Sequence, residues 1–129
     1  MTLERVTKNY YSIIQGLIII DRIPNLPDEE WRPIEGYNGK YLVSNMGRIK
    51  SLKHANARIL TAFPNNKGYY RVCLCQFGEG RHFLVSRLVA AAFCPNDDPQ
   101  TKTTIDHIDG DKKNNRAENL VWCSLKENV

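Results

Sequence analysis

The sequence has no long hydrophobic run. Its most apolar stretch, Ile13-Ile14-Gln15-Gly16-Leu17-Ile18-Ile19-Ile20, is too short to span a bilayer. A secretory leader would want a basic lead and a small-residue cleavage site. Here Glu4 precedes the run and Asp21-Arg22-Ile23-Pro24 follows it, so a cytoplasmic protein is expected. Cysteine is sparse. Cys73, Cys75, Cys94 and Cys123 form no CxxC knuckle and no dense framework, which argues against both a zinc ribbon and a disulfide scaffold. They read as reduced, buried small apolar side chains, with Cys73 and Cys75 on one strand face. Charge of one sign is also scarce. A net +4 and a pI near 8.9 allow an anionic partner without requiring one. No internal repeat or low-complexity tract occurs.

What remains is 129 residues of ordinary apolar content, enough for one small domain or a compact unit with an appendage. Residues 1–27 form an N-terminal extension. Tyr10, Ile13, Ile14, Leu17 and Ile18 fit a helix face, while Leu17–Ile20 equally suits a buried strand. Such a segment docks on its own domain or on another subunit, which makes it a candidate for homo-oligomerisation. Pro24, Pro27 and Asp28-Glu29-Glu30 read as a linker.

From Trp31 the texture is short strands and tight turns. Strands are predicted at Tyr41–Ser44, Arg48–Leu52, Arg58–Leu60, Tyr69–Gln76 and Arg81–Val85, with turns at Glu35–Lys40, Asn45–Gly47, Pro64–Gly68 and Gly78–Gly80. Alternation in Arg48–Leu52 predicts a half-exposed strand presenting Arg48 and Lys50 together. Ser86–Phe93 is predicted to be a helix, capped by Ser86 and closed by Pro95. Thr103–Asp106 and Leu120–Trp122 are predicted strands around a polar loop. Ser124-Leu125-Lys126-Glu127 has the form of a capping box that starts a last helix, with Leu125 packing under Trp122.

The run Thr103 to Asn128 concentrates the groups able to bind a metal or move a proton. An Asp106-His107 pair precedes an Asp-Gly turn and a loop rich in Asn and Lys. It is not a calcium loop. Counted from Asp109, Asn114 and Leu120 stand where such a loop needs Gly and Glu.

Several motifs, in order, resemble a known family. Residues 31–49, from Trp31-Arg32-Pro33-Ile34-Glu35-Gly36-Tyr37 to Asn45-Met46-Gly47-Arg48-Ile49, look like the NUMOD-type module of phage and intron HNH homing endonucleases. Val85-Ser86-Arg87-Leu88-Val89-Ala90, Ile105-Asp106-His107-Ile108-Asp109-Gly110 and Asn119-Leu120-Val121-Trp122 look like their HNH nuclease domain. The resemblance covers roughly residues 31–129. It implies an α+β fold: a NUMOD-like module of short antiparallel strands over 28–62, then an HNH domain over 63–129 whose ββα-metal core is about 103–129.

It also implies a metal-dependent endonuclease that hydrolyses phosphodiester bonds of double-stranded DNA to 5′-phosphate and 3′-hydroxyl ends. His107 would be the general base, Asp106 and Asn128 the ligands of one divalent metal (Mg²⁺ before Mn²⁺), and Asn119 a residue that orients His107 or braces the loop. These residue types suit the chemistry. A neutral imidazole takes a proton from water near neutral pH, and oxygen donors suit a hard cation. Arg48, Lys50, Arg87, Lys112, Lys113 and Arg116 are candidate DNA contacts, with Lys53, Arg58, Lys67, Arg71 and Arg81 as further members of a phosphate track.

Ser86 departs from the family, which usually has His there. A change in packing or in a phosphate contact is expected. Longer members carry C-terminal DNA-binding helices beyond the point where this sequence stops. The alternative reading is therefore a DNA-binding module, or a degenerate HNH protein, without cleavage.

Overall fold

The computed structural model describes residues 2–6, 9–14 and 17–125, with side chains from 18 to 125. The N-terminal extension is β rather than helical. β1 (Thr2–Val6), β2 (Asn9–Ile14) and β3 (Leu17–Asp21) form an antiparallel meander in the order β1-β2-β3. The β-branched run at 18–20 favours a pleated strand over a helix.

The end of β3 docks on its own chain. Ile20 N–H donates to Ala55 O at 2.8 Å, and Ala57 N–H donates back to Ile20 O at 2.7 Å. Ile19 is buried with Leu42 and Leu52, while Ile18 stays exposed. The predicted linker is stitched down as well. Glu29 accepts from Leu26 N–H, and Trp31 Nε1–H donates to Asn25.

A four-stranded antiparallel sheet follows: β4 (Trp31–Pro33), β5 (Tyr41–Ser44), β6 (Ile49–Ser51) and β7 (Arg58–Ile59), in that order. All three residues of β6 are buried, so the half-exposed strand predicted from alternation is not found. The cause is Asp21 on β3, which lies across Lys50 and lets the charge go under cover.

The next sheet contains β8 (Phe63–Pro64), β9 (Tyr70–Gln76) and β10 (Glu79–Leu84), ordered β10-β9-β8. Val72 and Leu74 point inward, each nearly fully buried, and Arg71 and Cys73 point outward. Cys73 is thus exposed rather than a core residue. The hairpin turns on Phe77-Gly78, one step earlier than Gly78–Gly80. Gln76 pairs with Glu79, and both turn residues have positive φ, 54° and 77°.

α1 (Val85–Phe93) buries Val85, Val89 and Ala90 against the sheets, and each of the two valines contributes about 1.5–3 kcal/mol. Its N-cap is Leu84, with no side-chain cap; Ser86 sits inside the first turn instead of capping it. The chain leaves the helix through Cys94 into Pro95.

β11 (Thr104–His107) and β12 (Leu120–Cys123) form an antiparallel ribbon, with a 3₁₀ turn at Ala117–Asn119 leading into β12. Ile105 and Leu120 join the main core with Tyr37, Tyr41 and Val43. The ribbon is pinned to α1 by Trp122 Nε1–H donating to Cys94 O at 3.1 Å. Leu125 is 72% exposed, so the expected packing under Trp122 is not formed. The continuation of the predicted last helix, with Asn128, lies outside the described residues.

Candidate active site

β11 runs as a regular paired strand to its end, with Asp106 opposite Val121 and His107 opposite Leu120. Neighbours on such a strand face opposite ways. His107 therefore turns inward and is 7% exposed, whereas Asp106 is exposed on the other face. The resemblance assigns both to one site; the strand pairs in register to its last residue and turns their side chains to opposite faces.

His107 has a defined environment. Its Nε2 lies 2.8 Å from Asn115 Oδ1, and its ring is 6.0 Å from that of Tyr69. With an amide oxygen as acceptor, Nε2 carries the proton and Nδ1 keeps the lone pair. The residue that holds the imidazole is thus Asn115, itself buried, and not Asn119. Nothing in the Asn-rich run singles out Asn115; the signal that finds it is the burial of one amide beside His107.

Asn119 braces the loop instead. Its Oδ1 accepts from Asp109 N–H at 3.0 Å, and its Nδ2 donates to Asp109 Oδ1 and to Asn114 O, both at 2.9 Å. Its carbonyl accepts from Ile108 N–H at 2.9 Å. Asp109 in turn takes Asn114 Nδ2–H at 2.9 Å and Asp111 N–H at 2.8 Å. The Asn114 amide, the Asp111 N–H and the Asn119 amide hold the Asp109 carboxyl below its ordinary range. One Asn thus freezes the loop 108–119 at both ends.

The preceding sheet supports this loop from behind. Ala117 N–H donates to Asn45 O at 2.8 Å, and Arg116 reaches Met46 Sδ. Gly47 has φ +83°, and a Cβ there would stand 3.1 Å from Asn115 O. Only glycine satisfies both the left-handed turn and the close approach.

The candidate cations divide. Lys50 is 2% exposed, bonded to Asp21 Oδ2 at 2.6 Å, with its ammonium 4.1 Å from the Trp31 ring centre. Arg48 pairs with Glu29 through both Nε and Nη2, donates to Pro24 O at 3.0 Å and stacks on Trp31. Burial pulls the Glu29 carboxyl up, but Arg48, the Leu26 N–H and Ser44 outweigh it and leave it below its ordinary value. The expected exposed face presenting Arg48 and Lys50 together is therefore corrected: Lys50 is buried against Asp21, and the half-buried Arg48 is taken up by Glu29 and Pro24 O. Arg87, Lys112, Lys113 and Arg116 are exposed as expected. Lys112 donates to Lys67 O at 2.8 Å and lies 4.6 Å from the Tyr69 ring centre, which ties the Asn65–Gly68 turn to the loop.

The Asp106 carboxylate has no hydrogen-bond partner among the described residues and offers a hard oxygen donor, which fits one ligand of a hard divalent ion. Its expected co-ligand, Asn128, lies outside them. Among the described residues no three His, Cys, Asp or Glu side chains converge as a complete metal site. None of their helices is long and apolar enough to cross a membrane.

Residues 29–75 match the NUMOD4 motif, and residues 83–129 match the HNH endonuclease model. The chain is 41% identical over 100 residues to the DNA endonuclease I-HmuI of Bacillus phage SP01, covering 78% of this chain and 55% of that protein. It is 41% identical over 104 residues to an uncharacterized HNH endonuclease of Acanthamoeba polyphaga mimivirus, covering 78% of this chain and 25% of the relative. A solved structure of I-HmuI, concerned with DNA binding and cleavage by that HNH homing endonuclease, superposes with a TM-score of 0.70 over 78% of this chain and 55% of the other. The chain thus spans about a quarter to just over half of these relatives' lengths. The two motifs stand in order and the fold is shared: this chain carries a NUMOD4 match ahead of an HNH endonuclease match, and in both it is similar to the HNH homing endonuclease I-HmuI.

Proposed function

We propose that this chain is a DNA endonuclease in which His107 Nδ1 accepts the proton of the attacking water. The observation that carries this reading is the buried His107–Asn115 contact of 2.8 Å, which holds one ring nitrogen as a donor and leaves the other as a base. Asn119 keeps the loop behind it rigid. Lys112, Lys113, Arg87 and Arg116 attract the DNA backbone. Asp106 and Asn128 hold a divalent ion, Mg²⁺ in first place and Mn²⁺ in second, which when bound neutralises the phosphate and the leaving oxygen.

Asp106 and His107 share the end of β11, so the scissile phosphodiester must cross the end of the ribbon to meet both. Val121, 45% exposed on the Asp106 face, marks the surface on which a helix begun at Ser124 would pack to complete a ββα unit. That packing brings Asn128 toward Asp106. Association through residues 1–27 is a separate proposal, decided by solution mass before and after their deletion.

The test is Mg²⁺-dependent nicking of plasmid DNA. His107→Ala is expected to lower the rate roughly a hundred- to ten-thousand-fold with the fold intact by circular dichroism. Robust cleavage by that variant would falsify the assignment. A second reading, a DNA-binding protein that does not cut, is favoured by the opposite facing of Asp106 and His107. It requires salt-sensitive DNA binding and no strand breaks with Mg²⁺ or Mn²⁺ in the unaltered chain.

A further inference from the structure

On the His107 side of the ribbon, a cavity of about 390 Å³ opens between the Asn65–Gly68 turn, the start of α1 and β11. Tyr69, which stacks near His107, forms part of its wall, as does Ile105. Ile105 and His107 are two residues apart on one strand face, a separation of about 7 Å. The cavity therefore neighbours the proposed base.

Three independent features of the cavity favour an anion. Its charged lining is wholly basic: Lys67 and Arg87 contribute, and no acidic residue does. α1 enters it uncapped, since Leu84 supplies no side-chain acceptor and the first turn holds no acidic residue, so the positive end of the helix is unanswered. Ser86 lines the cavity, is only 5% exposed, and its hydroxyl has no hydrogen-bond partner among the described residues. A buried hydroxyl left this way is completed by an ordered water or a ligand, and it aims its donor at whatever fills the cavity. The surroundings are also held in place. Arg87 Nη2–H donates to Thr103 O at 2.8 Å, which fixes the guanidinium, and Lys112 pins the turn that carries Lys67.

We propose that this cavity is a phosphate subsite that takes one backbone phosphate of the DNA strand, adjacent to the phosphodiester facing His107. Ser86 Oγ and the first-turn N–H groups donate to the phosphate oxygens, and Lys67 and Arg87 balance its charge. The proposal rests on the nuclease reading for its choice of DNA. It gives the serine at position 86 a positive role: a small donor that leaves room for the phosphate at the helix start.

Two measurements on the full chain test it. Inorganic phosphate is titrated while backbone amides are followed by ¹H–¹⁵N NMR. Saturable shifts at Val85, Ser86 and Arg87 are expected, and Ser86→Ala should raise the phosphate concentration that half-saturates them about tenfold. Binding of a fluorescent duplex is then followed by anisotropy in EDTA. Ser86→Ala should weaken it about tenfold, the worth of a hydrogen bond to a charged group. The exposed substitution Lys67→Gln should lower the slope of log affinity against log salt by about 1, without risk to the fold. Unmoved amides, together with unchanged duplex affinity in both variants, overturn the subsite while leaving the nuclease reading standing. Shifted amides in a chain that binds no duplex overturn the nuclease reading and the DNA assignment with it.

Discussion

The NUMOD-like sheet and the HNH ribbon both carry basic residues that look alike in sequence, and the fold treats them in opposite ways. In the sheet, Lys50 is sealed against Asp21 and Arg48 is clamped by Glu29, both beside Trp31. Around the ribbon, the Lys113 ammonium is exposed with no partner among the described residues; Lys112 and Arg87 each donate to one backbone oxygen at 2.8 Å, and Arg116 reaches Met46 Sδ and stands 3.8 Å from the exposed Glu118 carboxylate. One set stabilises the protein and the other is available to a polyanion. A basic residue becomes a DNA contact only when no acidic neighbour has claimed it first. The acidic neighbours of the sheet come from residues 21–29: Asp21 lies ahead of the NUMOD4 match and Glu29 is its first residue.

The largest effect expected from this contrast is on stability. Lys50→Ala strands the Asp21 carboxylate at 3% exposure, with the Ile23 N–H its one remaining hydrogen-bond donor among the described residues. Loss of one partner of a buried pair costs about 3–5 kcal/mol. Urea unfolding should show it, while the double change Asp21→Leu with Lys50→Met should recover most of the loss. If Lys50→Ala unfolds like the unaltered chain but binds DNA poorly, the division between inner and outer cations is wrong.

The same contrast explains which parts of the molecule were legible beforehand. The β9–β10 hairpin and the ribbon follow from alternation and turn residues, which act locally; Val72 and Leu74 inward against Arg71 outward is that local rule at work, and it carries Cys73 outward against the expectation of a buried thiol. The burial of Lys50 was not legible, because its cause is Asp21, 29 residues away in sequence. The extension was ambiguous for a related reason: Leu17–Ile20 fits either period, and docking on 55–57 chooses between them. At the site, Asp106, His107 and Asn119 were visible as a motif, but their facing was not, since it depends on whether β11 stays in register to its last residue. Asn115 was hidden among Asn114, Asn115 and Asn119, three identical side chains separated only by where the turn points them.

An intermediate effect concerns that residue. Asn115→Ala removes the acceptor that fixes the His107 tautomer, and kcat for nicking should fall about 10- to 100-fold with little change in KM, the range typical of a lost orienting partner. Asn119→Ala should differ in kind. It releases Asp109, Asn114 and the Ile108–Asp111 turn together, so the thermal midpoint drops along with activity. Should both variants lose stability equally and keep the same kcat, the separate roles of holding the base and holding the loop collapse into one structural role.

The smallest effect tests the open side of the comparison. Lys113 sits in the loop held by Asp109 and Asp111, whose Oδ1 accepts the Lys113 N–H at 3.0 Å, so its backbone is fixed while its ammonium projects outward. Lys113→Gln should leave stability within about 0.5 kcal/mol, because no contact among the described residues is lost. It should lower the salt slope of duplex binding by about 1, since one fewer counterion is released. The two readouts together separate the regions: Lys50 moves the unfolding curve and not the slope, and Lys113 moves the slope and not the unfolding curve. A Lys113 variant that changes neither would mean that the ribbon's exposed charge, like most surface charge, serves only solvation, and would shift the DNA contact toward Arg87 and the cavity at the start of α1.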